Sequence, residues 1–154
     1  MEQHDNITLP QDAQVESGGI YSIEMPVRWG DLDALNHVNN TLYFRYLEEA
    51  RVRCFTEAGV GVAGSGRDFV LAHTSCDFLR PVHWPATIQI RMRLSRFGRS
   101  SVEFDAELHV LGDTGGPCAR ARSVIVGTRS ETGRSEPWTS EERENLLRVF
   151  GAAE

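Results

Sequence analysis

Two aspartates lie in a turn-rich segment between a predicted strand and a predicted helix. Asp31 and Asp33 form a D-x-D pattern, and His37 follows four residues after Asp33. A carboxylate just ahead of a helix start faces free backbone N–H groups and the positive end of the helix dipole. Those donors can hold a developing oxyanion while the carboxylate attacks a carbonyl carbon or activates water. Turn and cap roles explain Asp31, Asn36 and Asn39 at least as well, whereas the position of Asp33 favours chemistry.

Other signatures of catalysis or metal binding are missing from the sequence. It has no G-x-S-x-G nucleophile elbow, no H-E-x-x-H or C-x-x-C metal pattern, and no G-x-G-x-x-G that follows a strand and opens a helix. His73 and His83 stand alone, and we expect structural roles for both. The sequence therefore predicts no metal and no nicotinamide or flavin cofactor.

A strand and a long helix frame the aspartate turn. Apolar residues alternate with polar ones from Tyr21 onward, which is typical of a strand with one buried side. The residues predicted to share that side are Tyr21, Ile23, Met25, Val27 and Trp29. A helix is predicted over about 40–58, capped by Asn39 or Asn40 and closed by Gly59.

This helix is apolar over most of its circumference. Its apolar residues are Leu42, Tyr43, Phe44, Tyr46, Leu47, Ala50, Val52, Cys54 and Phe55. Arg45, Glu49 and Arg53 form a narrow charged stripe, and their i, i+4 spacing predicts pairing along it. So broad an apolar surface indicates a helix that is mostly buried.

Residues 69–128 are predicted to form about four antiparallel strands. The clearest are Thr87–Ser95 and Ser101–Leu111, which a turn at Phe97-Gly98 joins into a hairpin, and a last strand covers about Pro117–Arg129. The hairpin is expected to set Arg93 opposite Glu103 and Arg91 opposite Asp105. Opposite charges paired across strands stabilise the solvent face of a sheet, so both arginines are assigned to structure.

The order of elements indicates the fold class. A capping box, Thr139-x-x-Glu142, predicts a short C-terminal helix. Strands segregated from one long apolar helix indicate an α+β fold. A helix that is apolar nearly all round needs an antiparallel sheet that curls about it, which is the hotdog arrangement. We expect a loose tail over residues 1–18 and a single domain over 19–154.

Composition and charge limit the kinds of partner that the protein is expected to bind and the compartment in which it is expected to work. The formal net charge is −6, whereas a nucleic-acid binder usually carries a basic stripe. The basic cluster that comes nearest to one is Arg91, Arg93, Arg96 and Arg99. No apolar run approaches the roughly 20 residues of a membrane span. The first residues lack the basic patch and apolar stretch of a signal peptide, so we expect none. The cysteines are few and widely spaced: Cys54, Cys76 and Cys118. We therefore expect a cytoplasmic protein without disulfides and without nucleic-acid or membrane partners.

The segment from Val27 to Arg51 resembles the signature of 4-hydroxybenzoyl-CoA thioesterase-like hotdog proteins. The HVNN run at residues 37–40, Tyr43, and the Glu48-Glu49-Ala50-Arg51 run are similar to the acyl-CoA thioesterase branch in particular. The predicted strand order is compatible with this family over residues 21–130. The resemblance implies a thioester hydrolase that converts an acyl-CoA to the free acid and CoA.

The same resemblance implies roles for individual residues. Asp33 matches the family's catalytic aspartate, which is described both as a nucleophile and as a general base. Asn40 matches the helix-start residue whose backbone N–H polarises the thioester carbonyl, and His37 and Asn39 are expected to order the loop or the attacking water. Two departures are visible: aromatic-CoA enzymes have a Tyr ahead of the helix, and Asn36 replaces a common Gly.

A second segment is similar to the basic, serine-containing turn that meets the CoA phosphates in such enzymes. It runs from Arg96 to Ser101, where Arg99 and Ser100 match best and Arg96 matches less well. An ordinary solvated hairpin turn is an equal alternative. The family also implies a homodimer or a dimer of dimers, because a curled sheet leaves edge strands and a site that one copy cannot close.

Two other functions remain open on sequence grounds. A hotdog hydratase or dehydratase would use Asp33 and His37 as its acid and base, but those enzymes resemble a D-x-N-P-x-H pattern, and this sequence lacks the proline and has a shorter spacing. A non-catalytic acyl-thioester binder would keep the same residues. An acyl-carrier-protein thioester is a further candidate substrate beside acyl-CoA.

Overall fold

A computed structural model describes residues 19–151, so the tail predicted over residues 1–18 lies outside the described chain. The described strands and helices follow in this order: β1 (Ile20–Pro26), α1 (Asn40–Ala58), β2 (Arg67–Phe78), β3 (Thr87–Phe97), β4 (Ser101–Val110), β5 (Ala119–Arg129) and α2 (Ser140–Phe150). A single 3₁₀ turn, Trp29–Asp31, lies between β1 and α1. None of the described helices is long and apolar enough to cross a membrane.

The five strands form one antiparallel sheet in the order β1-β3-β4-β5-β2. Its inner face carries the alternating apolar residues of β3 and β4. Val110 at the end of β4 is half-buried, and the others are buried: Ile88, Ile90, Met92, Leu94, Val102, Phe104, Ala106 and Leu108. Because α1 contacts both β1 and β2, which lie at opposite edges, the sheet must curl around the helix. The predicted α+β hotdog fold is confirmed.

Helix α1 begins and ends where the sequence predicts. Asn39 is its N-cap and accepts a hydrogen bond from the Thr41 N–H at 2.9 Å, and Gly59 ends it in the left-handed region at φ 66°. Burial is less complete than expected, because Val52 is 58% exposed. The predicted Arg45–Glu49 pair is wrong.

The charged stripe of α1 divides into two separate ion pairs. Arg45 pairs with Glu48 at 2.7 Å, three residues along, and Glu49 pairs with Arg53, as expected for four-residue spacing. Residues three apart on a helix are neighbours as much as residues four apart. Pairing at either spacing is compatible with helix geometry, so spacing alone does not decide the partner of Arg45.

The predicted register of the β3–β4 hairpin is wrong. Arg93 lies opposite Asp105 and Arg91 opposite Glu107, while Glu103 faces Arg96. The connecting turn causes the shift, because it takes up residues 98–100 and sets Phe97 opposite Val102. An extra residue between Leu94 and Arg96 then moves the pairing back by one position. A bulge of this kind sets two residues of one strand against one of the other. Opposite charges still face each other.

The predicted inner face of the first strand holds as far as Val27. Tyr21, Met25 and Val27 are buried, whereas Trp29 is 74% exposed. The strand ends at Pro26, and the Val27 N–H still bonds to the Ala86 carbonyl at 2.8 Å before the chain enters the 3₁₀ turn. Two-residue alternation no longer applies in that turn, so Trp29 points to solvent.

Trp138 and α2 cover the C-terminal end of α1. The predicted capping box of α2 is confirmed, since Thr139 and Glu142 bond to each other's backbone N–H groups. Trp138 stacks on Phe69 with ring centroids 4.9 Å apart and donates its indole N–H to the Ser101 carbonyl at 3.0 Å. Arg67, at the start of β2, bonds to Glu142 through two nitrogens and to Glu136 at 2.8 Å.

Candidate active site

Asp33 lies at the tip of a tight turn between the 3₁₀ turn and α1. Its backbone N–H donates to the His37 carbonyl at 2.9 Å, and its own carbonyl accepts from the Asn36 N–H at 3.0 Å. Asn36 has φ 59°, in the left-handed region, which Asn tolerates better than most residues. This conformation explains why a glycine is common at the position and why asparagine is an acceptable replacement.

One oxygen of the Asp33 carboxylate is engaged and the other is free. Oδ1 accepts a hydrogen bond from the Leu35 N–H at 2.9 Å, which fixes the side chain in the turn. Oδ2 has no hydrogen-bond partner among residues 19–151, and the residue is only half-buried. A carboxylate held by one oxygen and open at the other can attack a carbonyl carbon or accept a proton from water.

The start of α1 supplies a free donor beside this carboxylate. The Thr41 and Leu42 N–H groups are satisfied by Asn39, through its side chain and its carbonyl respectively. The Asn40 N–H has no acceptor within the described part of the chain. An unpaired N–H at a helix start, where the dipole is positive, suits a developing oxyanion.

Asp31 differs from Asp33 in that its carboxylate is already in use. Its Oδ2 accepts both the Arg28 N–H at 3.0 Å and the Tyr46 hydroxyl at 2.6 Å. Burial, followed by the bond to Asp31, raises the pKa of Tyr46 well above its usual value. The Asp31 carbonyl also accepts the Asn39 N–H at 2.9 Å, so Asp31 ties the turn to the helix.

A cleft of about 360 Å³ brings Asp33, His37 and Asn40 together. Its further lining includes Tyr43, Phe78, Leu79, Arg80 and Pro81. Asn39 does not line it, and its side-chain oxygen is occupied by Thr41.

Two aromatic residues form part of the wall of this cleft. Tyr43 is buried and packs edge-on against Phe78 with centroids 5.1 Å apart, and burial raises the pKa of Tyr43 to about 12. Tyr43 belongs to the stretch that resembles the family signature, but the sequence alone assigns it no role. Its place one turn after Asn40, on the same helix face, is the signal that could have assigned it to the cleft.

The structure gives His37 an aromatic neighbour. The rings of His37 and His83 meet edge to face with centroids 5.1 Å apart, and the His83 Nδ1 lies 3.3 Å from the Asn36 carbonyl oxygen. The sequence suggested that His83 stands alone. In the structure it contacts His37 and supports the Asp33 turn. Nothing in the local sequence could show this, because 46 residues separate the two histidines.

The turn that carries Arg99 and Ser100 lies at the other end of the sheet. The Asp33 turn is joined to the start of β3 through the Val27–Ala86 bond, whereas residues 98–100 follow the end of β3. The 11 residues of β3 span about 33 Å at the usual rise of a strand. One copy of the chain does not bring the two predicted parts of the site together.

The residues of this basic turn have different surroundings. The Arg99 side chain is exposed, and the Ser100 carbonyl accepts the Gly127 N–H at 2.8 Å. The Arg96 side chain is 25% exposed and lies 4.0 Å from the buried carboxylate of Glu103. Arg99 is thus open to a ligand, while Arg96 faces an acid of its own sheet.

A sheet curled around a central helix, with a carboxylate and a free N–H at the helix start, defines the hotdog class of thioester hydrolases. The chain belongs to the thioesterase-like superfamily, whose family model matches residues 27–146. This range contains the aspartate turn, all of α1 and the sheet from β2 to β5. The protein is accordingly a thioester hydrolase.

Individual relatives agree with this assignment. The chain is 33% identical over 126 residues to the uncharacterized protein YsmA of Bacillus subtilis (strain 168), covering 80% of this chain and 83% of that one. It is similar to the PA2801 protein from Pseudomonas aeruginosa, with 37% identity, a TM-score of 0.76, and 82% and 97% of the two chains covered. A 1,4-dihydroxy-2-naphthoyl-CoA thioesterase from Synechocystis, Slr0204, shares the fold, with a TM-score of 0.74, 17% identity, and coverage of 83% and 96%.

Proposed function

We propose that the protein hydrolyses an acyl-CoA to a free acid and CoA, with Asp33 as the catalytic carboxylate. One observation carries the proposal: the same cleft contains two groups without a partner in the described chain. These are one oxygen of the Asp33 carboxylate and the backbone N–H of Asn40. The thioester carbonyl oxygen would accept the Asn40 N–H. That hydrogen bond strengthens as negative charge develops on the oxygen.

Two routes lead from this arrangement to the same products. As a general base, Asp33 takes a proton from water, the resulting hydroxide attacks the carbonyl carbon, and the C–S bond breaks. As a nucleophile, Asp33 forms a mixed anhydride with release of the CoA thiolate, and water then hydrolyses the anhydride. In both routes the thiolate gains a proton and the acid leaves as a carboxylate. His37, which lines the cleft, is proposed to order the water.

CoA is the proposed carrier of the acyl group because an exposed basic turn is available for its phosphates. Arg99 carries the exposed positive charge of that turn. A protein of the same fold, Slr0204, is a CoA thioesterase. An acyl-carrier protein presents a single phosphodiester and a protein surface instead of a nucleotide, so the two carriers are distinguishable by their dependence on Arg99.

We further propose that the working unit is a homodimer, or a dimer of dimers, joined through β2. This strand has 12 residues, bonds only to β5, and leaves Val70, Leu71 and Phe78 exposed by 40% or more. A long apolar edge invites pairing with another strand. β1, the opposite edge, is shorter at seven residues and ends in a proline, which cannot donate to a ladder.

Pairing of β2 with β2 also accounts for the separation of the predicted site residues. Two strands related by a two-fold axis through their shared edge run antiparallel, so the Arg67 end of one lies beside the Phe78 end of the other. Phe78 lines the Asp33 cleft. The Arg99–Ser100 turn bonds to Gly127 of β5, at the Arg67 end of β2. The dimer would bring one copy's turn towards the other copy's cleft.

The decisive assay measures thiol release from a panel of acyl-CoAs and acyl-carrier-protein thioesters. We expect thiol release with at least one acyl-CoA and its loss in Asp33→Asn. Hydration of an enoyl-CoA without thiol release would indicate a hydratase, and binding without turnover would indicate an acyl-thioester binder.

The three free cysteines support a reducing, cytoplasmic location.

The oligomer has its own test in sedimentation velocity at the protein concentration used for activity. A species of twice or four times the chain mass is expected. Replacing Val70 with Lys should shift it towards monomer and lower activity together, because a charge on the edge opposes pairing. A fully active monomer would overturn the dimer proposal while leaving the chemistry of Asp33 standing.

A further inference from the structure

Arg51 is a buried cation without a carboxylate partner. Its residue exposure is 8%, and its one side-chain hydrogen bond goes from Nη1 to the Ser123 hydroxyl at 3.2 Å. No acidic group of the described chain lies within ion-pair distance of its guanidinium. Arginine is seldom buried unless it is paired, and burial lowers the pKa of Arg51. A guanidinium has five N–H donors, so most of its donor capacity is unused.

Arg51 lines a groove of about 430 Å³ between α1 and β2, which we call the Arg51 groove. Its apolar walls are formed by Val52, Phe55, Val60, Phe69, Leu71 and Ile125. Apolar walls beside a cation that has no carboxylate partner suit a hydrocarbon chain that ends in an anion.

Glu48, an acid of α1 that lines the groove, is committed elsewhere. It lies on the exposed surface, its side chain is 54% exposed, and it pairs with Arg45 at 2.7 Å. Asp68 also lines the groove and is exposed. Arg67, the other cation there, is held by Glu136 and Glu142. Arg51 is therefore the groove's cation that is available to a ligand.

We propose that Arg51 binds a carboxylate at the far end of the substrate's acyl chain, so that the preferred substrates are dicarboxylic acyl-CoAs. This inference rests on the proposed function and names its substrate class. In the β2-paired dimer, the Arg51 groove lies at the Arg67 end of one copy's β2, beside the Phe78 end of the other. The acyl chain would thus extend from the Asp33 cleft of one copy into the groove of its partner.

The first experiment compares matched substrates on the wild-type protein and needs no variant. Adipoyl-CoA is compared with hexanoyl-CoA and suberoyl-CoA with octanoyl-CoA, so that chain length is constant within each pair. We expect kcat/KM to be about tenfold or more higher for the dicarboxylic member of at least one pair, since hydrogen bonds to charged groups are among the stronger ones. Equal values, or a preference for the neutral member in both pairs, would overturn the proposal.

The second experiment repeats the comparison with Arg51→Met and with Glu48→Gln as its matched control. Methionine fills similar volume, and replacing a buried charge by an apolar residue is often tolerated. The ratio between dicarboxylic and neutral substrates should fall to about one in Arg51→Met and persist in Glu48→Gln. A loss in Arg51→Met that is the same for both substrates would assign Arg51 to structure. A ratio abolished by Glu48→Gln would assign the preference to that acid.

A third measurement separates this inference from the proposed function because it requires no turnover. Hexanoate should raise the melting temperature of the wild-type protein, and hexanamide, its neutral counterpart, should raise it less. Arg51→Met should remove the difference. If hexanoate binds through Arg51 but no acyl-CoA is hydrolysed, the proposed function fails. If thiol is released but hexanoate and hexanamide raise the melting temperature equally, the Arg51 proposal fails.

Mixed dimers test whether the groove serves the partner's cleft. Two differently tagged copies, one carrying Asp33→Asn and one carrying Arg51→Met, are co-expressed and purified as a mixed species. One of its two sites would combine an intact Asp33 with an intact Arg51 from the other copy. Recovery of the dicarboxylic preference, absent in either homodimer, is expected. A mixed species that keeps the ratio of the Arg51→Met homodimer would overturn the arrangement across copies.

Discussion

The two ends of α1 lie in contrasting surroundings. At its start, a polar turn leaves one oxygen of Asp33 and the N–H of Asn40 without partners in the described chain. At its end, Trp138 and Phe69 stack on the helix, and Arg67 joins β2 to α2 through Glu142. Unsatisfied polar groups cost free energy, so they persist where a ligand satisfies them, whereas packed aromatic groups stabilise the fold. We therefore expect substitutions at the start of α1 to affect catalysis and those at its end to affect stability.

The largest effect is expected for Asp33→Asn. Asparagine keeps the size and the bond to the Leu35 N–H, but it cannot act as an anionic nucleophile or base. The kcat for thioester hydrolysis should fall by about 100-fold to 10,000-fold. Stopped or continuous thiol-release assays give kcat, and circular dichroism and sedimentation confirm that fold and oligomer persist. A near-wild-type kcat in the folded variant would refute the assignment and direct attention to Glu48 and Glu49.

Trp138→Ala tests the other end of the helix. The variant removes a buried indole from its stack on Phe69 and its bond to the Ser101 carbonyl. Large-to-small substitutions of buried aromatic residues lower the free energy of unfolding by about 3–5 kcal/mol. Urea unfolding monitored by circular dichroism measures the loss, and Trp138→Phe should recover part of it. If kcat of the folded fraction fell as far as in Asp33→Asn, the division between the two ends would not hold.

Asp31→Asn should have an intermediate effect, mainly on stability. It weakens the bonds that Asp31 accepts from the Tyr46 hydroxyl and the Arg28 N–H. Loss of a charged acceptor costs about 1–3 kcal/mol, and kcat should fall only a few-fold as the turn loosens. Tyr46→Phe is the matched variant, and the two losses should be less than additive in the double variant. A kcat loss equal to that of Asp33→Asn would instead place Asp31 among the catalytic groups.

The sequence predicts some parts of this fold well and others poorly. The bounds of α1 follow from local signals, because Asn39 caps the helix and Gly59 ends it. The α+β class follows from the apolar circumference of the same helix. The length of the turn at residues 98–100 has no such signal, so the predicted register of Arg91 and Arg93 is wrong, and the bulge at Ser95 is equally invisible in the sequence. Local patterns determine where elements begin and end more reliably than how strands pair.

The candidate site shows the same limit. The position of Asp33 ahead of α1 is a local feature and is visible in the sequence, as is Asn40 at the helix start. The contact of His83 with His37 depends on the path of distant segments. That Arg51 has the Ser123 hydroxyl and no carboxylate as its partner among the described residues likewise becomes visible only when the surroundings of α1 are known. Sequence identifies reactive residue types, whereas their unused hydrogen-bonding capacity is a property of the fold.

The smallest expected effect is that of Arg99→Ala on substrate binding. The Arg99 side chain is exposed. The substitution does not affect the Arg99 backbone carbonyl, which accepts the backbone N–H of Trp138 at 3.0 Å. An exposed charge pair contributes at most about 1 kcal/mol, so KM for acyl-CoA should rise about three- to fivefold. Because the phosphates are remote from the thioester, ground and transition states lose the same contact and kcat should stay close to wild type. The rise should shrink at high salt, which screens exposed charges.

Arg91→Ala provides the control for that measurement, because Arg91 is also an exposed arginine, and it lies on the sheet face, where its Nε bonds to Gln89 at 2.8 Å. It removes the same charge from the protein without touching the turn, so any loss common to both variants reflects net charge alone. A KM increase confined to Arg99→Ala would support phosphate binding by the turn at residues 98–100. If KM is the same in both variants and in the wild type, the turn is an ordinary hairpin connection. CoA would then have to be held by groups nearer the Asp33 cleft, of which Arg80 is a cation in its lining.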